Sequence, residues 1–180
     1  MSFENQNVFF ENSANGCPEK YGINLQFITH QWQYAYKVSD DSKKTTPCRL
    51  LVSDLYNWLC SSPAGIVSEE DGTFSLLEIK CPYSCRNKLI FEDNLNLNVP
   101  YLKYDETIAD IVLLKGSEYY TQIQIGMLCT DTTLCHLFVY SYEQQIHVKV
   151  KYDNDYVNSI IPKVSNFYFR YYLPQVVKHE

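Results

Sequence analysis

Ser61-Ser62-Pro63-Ala64-Gly65-Ile66-Val67, a charged turn, and Leu76-Leu77-Glu78-Ile79-Lys80-Cys81-Pro82 form the stretch whose reading decides the fold. It reads as two strands joined by a tight connection. Glu69-Glu70-Asp71-Gly72 supplies the turn, because Asp-Gly between two apolar runs is a strong hairpin signal. Side chains alternate along a strand, so Glu78 and Lys80 point one way and Ile79 the other. A carboxylate and an ammonium on one face of a half-buried strand are costly to desolvate. A divalent cation held by the carboxylate, with the lysine beside the bond to be broken, supplies a chemical reason for such a pair.

Outward from this hairpin, the chain reads in order. Residues 1–18 are polar and Asn-rich, an N-terminal extension with Phe3, Val8, Phe9 and Phe10 interspersed. From Glu19 to Lys37 the spacing of Ile23, Phe27, His30 and Tyr34 predicts a helix. Asp40 to Pro47 reads as a polar loop and Arg49 to Ser53 as a short strand. Residues 91–117 read as a long loop with one helical turn near Ile108 to Leu113, and a loop of that length is usually functional or mobile. Glu118 to Leu128 reads as a helix with Tyr120, Ile123 and Met127 buried. Leu134–Tyr142 and Ile146–Tyr152 read as strands, the second exposing His147, Lys149 and Lys151. Tyr156, Ile160, Val164, Phe167 and Tyr171 predict an amphipathic terminal helix that Pro162 should bend or restart.

Composition narrows the function classes. The 180 residues suit one domain, and 46% apolar and 15% aromatic content provides for a sizeable core. A net charge of −6 argues against sequence-blind nucleic-acid binding through bulk charge, though not against a local basic groove. The seven cysteines form no CxxC pair and read as reduced, mostly buried thiols of an intracellular protein, nuclear or cytoplasmic. No apolar run approaches a membrane span, and Met1-Ser2-Phe3-Glu4-Asn5-Gln6 does not read as a signal peptide. His30, His136 and His147 lie far apart without ligand spacing and read as structural or surface residues.

Ser-Pro-x-Gly-Ile-Val followed by Leu-Leu-Glu-Ile-Lys-Cys-Pro-Tyr-Ser resembles the core of the PD-(D/E)XK nucleases. More narrowly it is similar to their lambda-exonuclease-like, or YqaJ viral recombinase, branch. Tyr119-Tyr120-Thr121-Gln122-Ile123-Gln124 resembles the second hallmark of that branch, and the two motifs in this order are specific together. The resemblance runs from about Tyr21 to Val177 and implies one α/β nuclease domain over 19–177. Its core would be restriction-endonuclease-like: a central mixed sheet of about five strands flanked by helices.

The resemblance also implies site residues. Glu78 would bind a divalent metal, Mg²⁺ or Mn²⁺ in active relatives, with the backbone carbonyl of Ile79 as a further ligand. Lys80 would stabilise charge or position water. Gln122, Gln124 and Tyr120 would line the cleft, with Arg86, Lys88 and Lys115 available to phosphates. Two positions depart from the family: Ala64 stands where the family has a metal-binding Asp, and Gln26 where it has a Glu. The family's basic residue for the DNA end has no counterpart, since no Arg precedes Arg49.

Three readings follow. One is a natural pseudo-nuclease, inactive or strongly impaired, with weak or no metal binding, that retains nucleic-acid or partner binding. The second is an active exonuclease carrying an engineered Asp-to-Ala change at position 64; a second loss at Gln26 favours the first over it. The third is a protein-interaction scaffold without nucleic-acid affinity. Family enzymes often form rings around DNA, so the resemblance also admits a homo-oligomer.

Overall fold

The computed structural model describes residues 44–93 and 95–178. The chain divides into a unit of Met1–Asp40 and a unit of Asp41–Glu180, and every described residue belongs to the second. The N-terminal extension, the helix expected over Glu19–Lys37, Gln26 and His30 lie outside the described residues.

The hairpin forms where the sequence places it. Strand β4 (Gly65–Ser68) pairs antiparallel with β5 (Phe74–Lys80), from Gly65↔Leu77 to Ser68↔Phe74. The turn closes by Glu69 N–H donating to Thr73 O at 2.9 Å, and Asp71 Oδ1 accepts from the Thr73 amide at 2.9 Å. Gly72 takes φ of 82°, a left-handed conformation that glycine adopts without steric cost. The first strand is shorter than the sequence suggests. Pro63 cannot donate to a ladder, and the chain bends at Ala64. Cys60–Ser61 (β3) instead pairs back to Leu51–Val52 (β2) as a separate two-stranded piece.

The expected polar loop before Pro47 is in fact an edge strand, β1 (Lys44–Pro47), paired along β4. Thr45 and Thr46 are β-branched, and Pro47 is tolerated because an edge strand needs ladder bonds on one side only. The loop expected over 91–117 likewise contains a second hairpin rather than a helical turn. Strands β6 (Leu102–Asp105) and β7 (Asp110–Leu113) pair from Leu102↔Leu113 to Asp105↔Asp110. Asp105 Oδ1 accepts from the Thr107 amide at 3.0 Å, and Ala109 takes φ of 51° to close the turn. Such a local carboxylate bond competes with helix formation.

Helix α1 (Glu118–Thr130) begins at Ser117, whose side chain accepts from the Tyr120 amide. It carries the chain back to β8 (Leu134–Tyr140), which pairs parallel with β5 from Leu76↔Cys135 to Lys80↔Val139. A parallel pair requires such a crossover. Strand β9 (Gln145–Lys151) then returns antiparallel to β8. The result is a five-stranded mixed sheet in the order β1-β4-β5-β8-β9. The register puts Leu76, Glu78 and Lys80 of β5 on one face with Cys135, Leu137 and Val139 of β8 and Ile146, Val148 and Val150 of β9. Ile123 and Met127 of α1, both fully buried, join the hydrophobic core built on that face. At ~25 cal/mol per Å² of apolar surface removed from water, this layer is the main source of stability.

The terminal helix departs from its expectation. Helix α2 (Asn154–Phe167), capped by Asp153, runs through Pro162 without restarting. The chain widens only at Tyr168–Tyr172, a π-helical turn, before α3 (Leu173–Val177). Pro162 removes a single backbone donor, and its neighbours carry the helix past it. The apolar stripe is only partly covered: Tyr156 packs edge-on to Tyr120, while Phe167 and Tyr171 are exposed. Among the described residues, no helix is long and apolar enough to cross a membrane.

Candidate active site

Glu78 is 4% exposed, deep for a carboxylate. Strand alternation turns it and Lys80 to the face under α1, and their charged groups lie 3.8 Å apart. Gln122 reaches down one turn into the helix and bridges the two. Its Oε1 accepts from Lys80 Nζ at 2.7 Å, and its Nε2 donates to Glu78 Oε1 at 3.4 Å. Lys80 Nζ also sits 4.4 Å from the centre of the Tyr119 ring, a cation–π geometry. Tyr101 meets Tyr119 edge-on, with centroids 4.7 Å apart. Burial pushes the Glu78 carboxyl above the usual carboxylate range, and Lys80 offsets part of that push.

Position 64 is the bend just before β4, whose paired register with β5 ends at Gly65↔Leu77, one residue short of Glu78. Among the described residues, β5 beyond Leu77 is paired on the β8 side alone. Ile79 lies between the two charged residues, its side chain half-buried on the other face.

The other residues expected at the site disperse. Gln124 is fully buried and points to the far flank of α1: its Nε2 donates to Lys151 O at 2.9 Å, and its Oε1 accepts from the Asp153 amide at 2.8 Å. Tyr120 donates its hydroxyl to Asp153 Oδ2 at 2.9 Å on that same flank, and Lys115 pairs with the same oxygen. Two residues along a helix is a rotation of about 200°, so Gln122 and Gln124 cannot serve one side. Arg86 stacks on Tyr83, 4.6 Å from the ring centre, and Lys88 is exposed in the turn that follows; neither touches Glu78 or Lys80.

Two features escaped the sequence reading. Tyr119 stood beside the Gln motif without marking itself as the seat of Lys80. His136 and His147, distant in sequence, are brought together across β8 and β9: His136 Nδ1 lies 2.8 Å from His147 Nε2, and its Nε2 lies 2.8 Å from Glu69 Oε1. Their places either side of the β8–β9 turn were the available signal. Burial pushes the Cys81 thiol, next to Lys80, up to about 12, which keeps it protonated. No described cysteine is in a disulfide.

The model of the YqaJ-like viral recombinase domain matches residues 30–133, more than half of the chain. The chain belongs to the YqaJ-like viral recombinase domain family. The matched stretch of this YqaJ domain holds Ala64, Glu78, Lys80 and Gln122 but stops short of Gln26. Its fold is similar to the crystal structure of an alkaline exonuclease (LHK-Exo) from Laribacter hongkongensis: TM-score 0.54 and 21% identity, over 86% of this chain and 73% of that one. The structure of LHK-Exo in complex with dAMP matches with TM-score 0.53 and 23% identity, over 79% of this chain. The YqaJ chain spans 63% of the length of the protein in that complex. No curated protein matches the chain.

A divalent cation of the kind nucleases use takes oxygen ligands, commonly from one or two carboxylates. The described residues do not fit it. They bring one carboxylate, Glu78, already tied to an ammonium and an amide, and the side chain of Ala64, just before β4, has no donor. No group of three His, Cys, Asp or Glu suited to a metal occurs among the described residues.

Proposed function

We propose that this YqaJ domain is a nuclease fold with an incomplete metal cage, which hydrolyses phosphodiesters weakly or not at all and acts by binding nucleic acid beside Glu78. The observation that carries the reading is the buried Glu78 carboxylate tied to Lys80 and Gln122, with Ala64 one residue beyond the last rung of the β4–β5 hairpin. The family resemblance implies an Asp at position 64 as the second carboxylate of the cage; a methyl group there leaves a shared cation half its anionic support. Gln26, in the undescribed part of the chain, keeps the length of a glutamate but neither its charge nor its basicity. In place of a metal, Glu78 has Lys80 and Gln122. That arrangement holds the ammonium of Lys80, 15% exposed, ready for a phosphate. Arg86 and Lys88, exposed after the end of β5, are available to the strand beyond it.

The test is reconstruction of the cage. The chain as it stands is expected to show no robust Mg²⁺- or Mn²⁺-dependent degradation of a DNA duplex. The change Ala64→Asp alone is expected to leave cleavage weak, and Ala64→Asp together with Gln26→Glu to raise it at least tenfold. Robust cleavage by the unaltered chain overturns the proposal. Full activity from Ala64→Asp alone identifies the active enzyme with one acidic residue removed.

A further inference from the structure

Helix α2 is amphipathic, yet from Asn154 to Val177 only Val157 is buried. The face that meets Tyr120 through Tyr156 continues past Val164 as a row of exposed side chains. Lys163, Phe167, Tyr171 and Gln175 follow at steps of four, so each neighbours the next along the helical surface. Phe167 is 58% exposed and Tyr171 60%. Their rings stack on each other, with centroids 6.2 Å apart and planes at 27°, and among the described residues neither meets another ring. The other side of the same turn is anchored. Tyr168 stacks on Trp58 of the β2–β3 connection at 5.3 Å, and Phe169 meets Trp58 edge-on. The free pair coincides with the π-helical turn, a departure found most often at functional sites.

Charge around these rings runs against that of the chain. Between Asp155 and Glu180 the sequence holds Lys163, Arg170 and Lys178 and no acidic residue. Lys163 lies one turn before Phe167, and Arg170 directly precedes Tyr171. Both are exposed, and neither makes an ion pair among the described residues. The connection packed against the turn, residues 53–59, carries one carboxylate, Asp54. In a chain of net charge −6 the surroundings of the free rings therefore keep a positive excess.

The complementary partner is anionic and offers flat faces to stack. A single nucleic-acid strand has both: its unpaired bases stack on aromatic side chains and its phosphates take the cations. A duplex hides those base faces inside its own stack. A lipid surface is anionic but has nothing to stack, and the large apolar side chains exposed from Phe167 to Tyr172 are all rings.

We infer that the row from Lys163 to Gln175 is a stacking platform for a single nucleic-acid strand, with bases on Phe167 and Tyr171 and phosphates at Lys163 and Arg170. The inference rests on the reading of this domain as a nucleic-acid binder. It adds that unpaired bases are engaged, on a surface that does not include Glu78.

The full chain is titrated with a labelled single strand of about ten nucleotides, with the same sequence as a duplex, and with vesicles of anionic lipid. Anisotropy follows the nucleic acids and sedimentation the vesicles. The double change Phe167→Ala with Tyr171→Ala is expected to weaken the single strand about tenfold or more and to leave the duplex within about twofold. Phe167→Tyr with Tyr171→Phe keeps both rings and is expected to bind as the parent does. Lys163→Ala with Arg170→Ala should make the slope of log affinity against log salt shallower by about 1.4, or about 0.7 for each lost contact. If the variant without the two rings binds the strand as the parent does, or loses strand and duplex alike, the inference is overturned. Vesicle binding that depends on the rings while strand binding does not also overturns it, in favour of a lipid surface. Lys80→Ala separates the two sites. Strand binding lost with Lys80 but not with the rings removes this inference alone; binding lost with the rings but not with Lys80 removes the Glu78 cleft and leaves this platform standing.

Discussion

Glu78 pulls against the stability of its own fold. Burial raises its pKa, more than Lys80 lowers it, so the unfolded chain gives up this proton first as pH rises. Stability is therefore lost as pH climbs through the interval between the ordinary carboxylate value, about 4.3, and the raised one. Glu78→Gln keeps an acceptor for Lys80 and Gln122 while removing the charge. It is expected to raise the melting temperature at pH 7 and to lose that advantage as pH falls below the ordinary carboxylate range. Thermal unfolding at pH 7 and pH 4 checks this; an advantage that grows on acidification contradicts the assigned cause. A group kept at such a cost belongs to function more often than to packing. At this scale Glu78 and Lys80 were legible from strand alternation, which needs no tertiary knowledge. The division between Gln122 and Gln124 was not, because the helix phase says that two residues face apart but not which of them meets the sheet. The seat of Lys80 on Tyr119 depends on where a helix lands, which local sequence does not encode.

At the scale of elements, the β1–β4 contact explains why a glycine follows Ala64. A Cβ at Gly65 would lie 2.9 Å from the backbone oxygen of Thr46, closer than any real contact, and 3.6 Å from Leu77 Cδ2. Backbone, not a flexible side-chain tip, would have to move. Gly65→Ala is expected to destabilise by about 1–3 kcal/mol, the usual penalty for overpacking. Faster hydrogen exchange of the amides that pair β1 with β4 should accompany it, because among the described residues β1 has no other partner strand. Denaturant unfolding with amide exchange reads both, and an unchanged midpoint would show that β1 gives way freely. The central hairpin and α1 were legible because each carries its own signal: Asp-Gly in one, the helical spacing of Tyr120, Ile123 and Met127 in the other. The strands β1, β6 and β7 were not. Each has four residues and mixed polarity, and each becomes a strand only because a partner lies beside it, the tertiary context that overrides propensity.

For the molecule as a whole, the mixed sheet and its parallel β5–β8 step follow from a hairpin, a crossover helix and a second hairpin in that order, so the architecture was readable although several members were not. Net charge acts at this scale too. A chain carrying −6 repels a polyanion at long range, so any nucleic-acid affinity must come from the few cations the fold gathers. Those are Lys80 in the Glu78 cleft, Arg86 and Lys88 after the end of β5, Lys115 just before α1, Lys149 and Lys151 on the exposed face of β9, and Lys163 and Arg170 beside the exposed rings of the terminal helices. Lys115 is already engaged by Asp153, and β9 turns its lysines to the face opposite Glu78, which leaves three to five phosphate contacts as the working range. At about 0.7 counterions released per contact with a single strand, log affinity should fall against log salt with a slope between about −2 and about −3.5. Fluorescence anisotropy of a labelled strand between roughly 50 and 200 mM salt measures this directly, and across that range affinity should drop by about 15- to 130-fold. A slope near zero would remove phosphate contacts from the account and favour a domain that binds protein instead. A slope steeper than about −5 would require a cationic surface that these eight residues do not provide.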